Sequence, residues 1–119
     1  MNTSLHHVAV AVENLERAIE FYDGVFAFPH IERLTRKVSH NRGAWYQLGP
    51  IELHLLEKPG TGKKTQQHFA LLTTEFNEIV KKTPLHGGRV EEAKLIEGMR
   101  QRCFLYDPDD NRIELLERA

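Results

Sequence analysis

A chain of 119 residues has the length of one compact domain, so a single domain over 1–119 is the expectation. Its 16 basic and 17 acidic residues leave a formal net charge of -1, which gives neither nucleic acid nor an anionic membrane a field to bind. No apolar run approaches the ~20 residues of a membrane helix, and "MNTSLHHV" has no basic segment leading into an apolar one. The single cysteine, Cys103, can form neither an internal disulfide nor a CxxC zinc pair, so a cytoplasmic protein is expected.

Residues 5–12 alternate, with His7, Ala9 and Ala11 on one side and Val8, Val10 and Val12 on the other. That period of two predicts a strand with unlike faces. Asn14 is placed to cap a helix, on which Leu15, Ala18, Ile19 and Tyr22 recur at helical spacing. Gly24 and Pro29 mark its end. "RLTRKVSH" reads as a charged edge arm. "GAWYQLG" and "IELHLLE" read as strands broken by Gly49-Pro50. "KPGTGKKTQQ" is polar and reads as an internal linker. "QHFALLTTEFNEIVKK" then repeats the strand-to-helix pattern, with Thr74 as the expected cap. "RVEEAKLIE", "RQRCFLYD" and "NRIELLE" supply three more strands, the last two joined by the tight turn "DPDDN".

The order is strand, helix and about three strands, twice over. His7 lies 61 residues before His68, and "HVAVAV" falls over "HFALLT". Glu52 lies 62 residues before Glu114, and "IEL" falls over "IEL". Each half, about 3–57 and 65–118, therefore has a histidine opening its first strand and a glutamate in its last. Related by a pseudo-twofold axis, the four side chains could converge. Two imidazoles and two carboxylates suit a divalent transition metal and leave positions for water or substrate.

"LHHVAVAVENLERAIEFY", "IELHLLE", "QHFAL" and "DPDDNRIELLE" together resemble the vicinal oxygen chelate superfamily of glyoxalase I, bleomycin-resistance proteins and extradiol dioxygenases. The resemblance spans nearly the whole chain. It implies an α+β fold of two βαβββ modules forming a curled mixed sheet, a half-barrel cup with helices outside. Homodimers are the usual assembly of that family. The resemblance also implies a divalent ion, whether nickel, zinc, manganese, cobalt or iron, held by His7, Glu52, His68 and Glu114.

The implied function is that of a metal-dependent lyase or isomerase acting on a small molecule with vicinal oxygens through a metal-stabilised enediolate, with Glu52 or Glu114 as base. Alternatives are an iron-dependent extradiol-type dioxygenase using His7, His68 and Glu114, or a metal-free drug- or metabolite-binding protein. His54 faces the same way as Glu52 and could also reach the ion. Glu52 is favoured because the repeat sets Leu116, which is no ligand, opposite His54. Substrate contacts are expected from His54, Trp45, Arg102 and Phe104, set against simple packing roles for the same residues. One of Trp45 and Tyr46 must face the cup.

Asp110 stands where the family turn has glycine. "PGTGKKT" is not a phosphate loop, since Glu57 and Lys64 occupy required positions. "DPDDNR" is not a calcium loop, with Arg112 in place of its glycine. His30, His40 and His86 read as surface residues.

Overall fold

The computed structural model describes residues 2–33, 41–60 and 66–119. Two four-stranded mixed sheets and two α-helices build the α+β fold in two βαβββ passes. The first pass runs β1 (His7–Val12), α1 (Leu15–Val25), β2 (His30–Ile31), β3 (Gly43–Leu48) and β4 (Ile51–Glu57). The second runs β5 (His68–Leu72), α2 (Phe76–Lys82), a short 3-10 turn at Pro84–His86, β6 (Arg89–Glu92), β7 (Met99–Tyr106) and β8 (Arg112–Arg118). Among the described residues the strand orders are β1-β4-β3-β2 and β5-β8-β7-β6, and no barrel closes. The expected edge arm at 33–40 lies outside the described residues from 34 on, as does the middle of the linker, 61–65. No helix of the described residues is long and apolar enough to cross a membrane.

Alternation is realised as the sequence requires. Val10 and Val12 are buried while His7 and Ala9 are exposed. Leu53 and Leu55 of β4, Cys103 and Leu105 of β7, and Ile113 and Leu115 of β8 join them in one core with both helices. Each fully buried leucine or isoleucine there contributes about 2 kcal/mol. The Asn14 side chain caps α1 by accepting from the Arg17 amide at 2.9 Å, and Glu57 accepts from the Leu15 amide at 2.8 Å. Leu15, Ala18, Phe21, Tyr22 and Val25 form the buried stripe of α1. At α2 the cap is Glu75 rather than the expected Thr74, and it makes no side-chain cap bond. Thr73 instead accepts from the Glu75 amide at 2.9 Å, which turns the chain one residue later.

The β7–β8 turn ties the two modules together. Asp107 is buried. Its Oδ1 accepts from the amides of Asp109 and Asn111, both at 2.9 Å. Its Oδ2 accepts from Tyr22 Oη and Asn111 Nδ2, both at 2.8 Å. Asn111 Nδ2 also donates to the Ala11 carbonyl at 2.9 Å, and Arg17 pairs with Asp109 at 2.6 Å. A turn of the second module thus holds α1 and β1 of the first. Asp110 sits at φ 64, the left-handed conformation that aspartate accepts more readily than most residues.

Two outcomes follow from this packing. Asp107→Ala strands several buried donors and should lower stability by about 3 kcal/mol in urea unfolding. Burial pushes the Cys103 thiol up to about 11, so little thiolate exists near neutrality. Iodoacetamide at pH 8 should leave Cys103 unmodified in the folded protein and alkylate it in denaturant, as read by mass spectrometry.

Candidate metal centre

The residues that carry the candidate chemistry occupy the faces turned away from the core. On the first sheet, pairing sets His7 opposite Glu52, Ala9 opposite His54, and Trp45 opposite His54. On the second, Ala70 stands opposite Glu114, His68 opposite Arg112, and Phe104 opposite Glu114. Glutamate is therefore level with histidine in the first module and two residues beyond it in the second. By strand pairing, the counterpart of Glu114 is His54, not Glu52. The "IEL" repeat hides this difference, because a shift of two leaves every side chain on its own face. Leu116 is thus not what strand pairing sets against His54.

His54 is buried between two rings. Trp45 stacks on one face at 3.7 Å between centroids and 1° between planes, and His7 on the other at 4.1 Å and 15°. Tyr46 points into the core, so Trp45 is the aromatic on the outer face. His54 Nε2 lies 2.9 Å from Glu52 Oε1. Burial pulls the His54 pKa below the ordinary imidazole value, against the opposing hydrogen bond from Glu52. Ring nitrogens hold their lone pairs in the ring plane. Two face-to-face rings keep those pairs in separate, nearly parallel planes, so His7 and His54 do not converge on one ion in this arrangement. His7 Nδ1 lies 2.9 Å from His6 Nδ1.

On the second sheet, His68 Nδ1 is 3.0 Å from the Gln66 carbonyl. A carbonyl only accepts, so Nδ1 carries the proton. Nε2 then faces Glu114 Oε1 at 3.1 Å. A proton on Nε2 makes this an ion pair, and a cation bound in its place would take both lone pairs. Cis ligands held at ~2.1 Å from an octahedral ion stand about 3.0 Å apart. The donor pair fits a divalent ion, and a backbone carbonyl orienting the far nitrogen is the usual support for a histidine ligand. Arg102 Nε donates to Glu114 Oε2 at 2.8 Å. Arg102 above all, with His68 adding, holds the Glu114 carboxyl below the usual carboxylate range.

The four expected ligands are brought together as two pairs, His7 with Glu52 and His68 with Glu114. Among the described residues no three His, Cys, Asp or Glu gather closely enough to hold an ion. One member of each pair, Glu52 and His68, borders a cleft of about 360 Å³ where the first sheet meets β5, beside Leu5, Leu48, Phe69 and Leu71. Of the expected substrate contacts, Trp45 and His54 line the first outer face, and Arg102 and Phe104 the second. Arg112, which sequence reading passed over as a misfit in a calcium loop, also lies here, with its guanidinium 3.6 Å over the Phe104 ring. Its sequence signal was its position, two residues before Glu114 on the same face.

Two βαβββ modules, each with a histidine in its first strand and a glutamate in its last, define a recognisable class of protein. The chain belongs to the Glyoxalase/Bleomycin resistance protein/Dioxygenase superfamily, whose family model matches residues 4–115. It is 27% identical over 131 aligned positions to the lactoylglutathione lyase GLX1 of Arabidopsis thaliana, an alignment that takes in 99% of this chain and 45% of that protein. The chain thus spans less than half the length of that curated relative. Among solved structures, a glyoxalase family protein from Bacillus anthracis superposes with a TM-score of 0.83 at 22% identity, covering 100% of this chain and 98% of its own. The fosfomycin resistance protein FosX of Listeria monocytogenes, solved with manganese(II) and 1S,2S-dihydroxypropylphosphonic acid, gives 0.82 at 19%, covering 100% and 95%. At such identities these two likenesses establish the fold.

Trp45 is the only tryptophan and makes the stack observable. His54→Ala should shift its emission to longer wavelength and lower stability by about 1–2 kcal/mol in denaturant unfolding.

Proposed function

We propose that this protein is a divalent-metal-dependent lyase or isomerase of the glyoxalase type, acting on a small molecule with two adjacent oxygens. The ligands are His7, Glu52, His68 and Glu114. The observation that carries the reading is the His68–Glu114 pair: a histidine with Nδ1 committed to a carbonyl and Nε2 facing a carboxylate at 3.1 Å. Glu52 is preferred to His54 as the second-position ligand because the stack keeps the His54 and His7 lone pairs in separate, nearly parallel planes. His54 then serves Glu52 as a hydrogen-bond partner that fixes its carboxylate.

Each module supplies half of the ligand set, and the centre forms between two copies of the chain. Support comes from the failure of three or more of the four side chains to gather within one chain among the described residues and from the sheet margins. β1 and β5 each end their sheet, and Leu5 and Leu72 nearby stay exposed. An apolar margin of this kind suits a homodimer. The free, buried Cys103 suits a reducing, cytoplasmic setting.

When bound, the ion supplies Lewis acidity, drawing charge off the substrate's adjacent oxygens. The chain's own groups move the proton. Arg102 keeps Glu114 ionised, so at neutral pH its carboxylate can take a proton from the carbon beside a carbonyl. The same carboxylate can return the proton to the neighbouring carbon. Trp45 and Phe104 wall the site with apolar surface and exclude water from the exchange.

Metal analysis of protein purified without chelator should find a divalent ion, and His68→Ala should lose it. Glu114→Gln should cut turnover by about a hundredfold or more, the usual scale for a general base; full turnover in that variant would remove Glu114 from the role. Mixing separates the two ways of building the centre. A chain altered at His7 and Glu52, refolded with one altered at His68 and Glu114, should recover about a quarter of wild-type sites if two copies share each centre. If one chain builds the centre alone, the mixture stays inactive.

A further inference from the structure

The second module orients its histidine through the nitrogen that is not turned to Glu114. His68 gives its Nδ1–H to the Gln66 carbonyl, two residues before β5 begins, and leaves Nε2 to face the carboxylate. His7 stands 61 residues earlier in the repeat, and the same nitrogen is engaged. Its Nδ1 lies 2.9 Å from Nδ1 of His6, the residue just before β1. Strict alternation would send His6 to the opposite face. β1 begins only at His7, so the His6 ring is free to turn toward its neighbour. The His6 backbone is held all the same, since its carbonyl accepts from the Glu52 amide at 3.0 Å. His6 is thus bonded to both residues expected to supply ligands from the first module.

A hydrogen bond between two imidazole nitrogens holds one proton, so one ring donates and the other accepts. If His6 donated, it would occupy the His7 Nδ1 lone pair, and neutral His7 would carry its own proton on Nε2. No lone pair would remain for an ion. If His7 donates, its Nε2 keeps a lone pair. His6 can accept readily, because it is exposed and solvent serves its own Nε2–H. The contact also completes the orientation of the His7 ring. Stacking on His54, at 4.1 Å and 15°, sets the ring plane. It is satisfied equally by either flip of the ring, which exchanges Nδ1 with Cδ2 and Nε2 with Cε1. The bond to His6, whose ring stands at 87° to that plane, selects one flip.

We infer that His6 is a positioning residue: it accepts the Nδ1 proton of His7 and so fixes the flip and the tautomer that offer Nε2 to a cation. The inference rests on the proposed function for the role of His7 as a ligand. An outer hydrogen bond of this kind raises the basicity of a ligand imidazole and holds its direction. The two modules then reach one end by different means, a side chain in the first and a backbone carbonyl in the second. Only the first can be removed by substituting the acceptor.

NMR of the histidine ring nitrogens at pH 8, where an ordinary imidazole is neutral, tests this in metal-free protein. His7 should show Nδ1 protonated and Nε2 bare. His6→Ala should return His7 to a mixture of tautomers and weaken zinc binding about tenfold, as read by chelator competition. His6→Asn, whose Oδ1 can accept in place of the imidazole nitrogen, should restore both. Unaltered circular dichroism and melting temperature in the two variants exclude misfolding as the cause. A wild-type His7 protonated on Nε2 overturns the inference, since His6 is then the donor. So does a His6→Ala protein that keeps the wild-type tautomer or the wild-type zinc affinity. Zinc held by the Nδ1 atoms of both His6 and His7 also overturns it, because the pair is then a chelate. The expected tautomers in a protein that takes up no zinc uphold the place of the proton and overturn the metal reading.

Discussion

Everything in this fold depends on the two-residue alternation of strands that give one face to a shared core. Val10 and Val12, Leu53 and Leu55, Ile113 and Leu115 all enter the same cluster with α1 and α2. That burial is the dominant favourable term, and it commits the intervening residues to the opposite faces. His7, Glu52 and His54 are placed outside because their neighbours are placed inside, and the same holds for His68, Arg112 and Glu114. The candidate side chains are thus positioned by the valines and leucines that alternate with them. A one-residue slip in any of these strands would bury the carboxylates and expose the core, which is why the register is so firmly set.

The two modules share a pattern without sharing an environment. Glu114 lies beside a guanidinium that holds it ionised. Glu52 lies beside His54, an imidazole kept neutral by burial between Trp45 and His7. Paired carboxylates in unlike surroundings are the usual means by which one site divides acid and base tasks. The difference traces to the register: with Glu114 two residues further along than Glu52, its cross-strand neighbour is Phe104, flanked by arginines, and Glu52 instead faces Gln47.

Much of this was legible beforehand, for physical reasons. The repeat of "HVAVAV" in "HFALLT" carries both the strand period and the strand-to-helix step, and these are local properties of the chain. Asn14 announced its helix because a short polar side chain at that point has few other uses. The turn "DPDDN" announced itself likewise, and Asp110 does take the left-handed backbone. The two-residue difference in register was not legible. β1 and β4 pair in parallel across a connection of nearly forty residues, and sliding by two preserves every face and every hydrophobic pattern. Nor was the stacking of His54, since it needs Trp45 and His7 to arrive from two other strands. Arg112 was weighed only against a calcium loop and not against the face it shares with Glu114.

The rigidity of the junction bears on how a complete centre could form. Asp107 gathers Tyr22, Asn111 and two backbone amides, and Asn111 reaches on to the β1 backbone. Two of these bonds, from Tyr22 to Asp107 and from Asn111 to the Ala11 carbonyl, cross from one module to the other, over a core that both sheets already share. A hinge that swung His68 and Glu114 round to His7 and Glu52 would have to break that network and open the core. Buried polar networks of this kind are costly to disrupt, and packed cores do not deform continuously. Supplying the missing pair from a second copy demands neither step. It asks only that the exposed margins of β1 and β5 find equivalent margins on a partner. The proposed two-copy centre therefore asks less of the single chain than closure would.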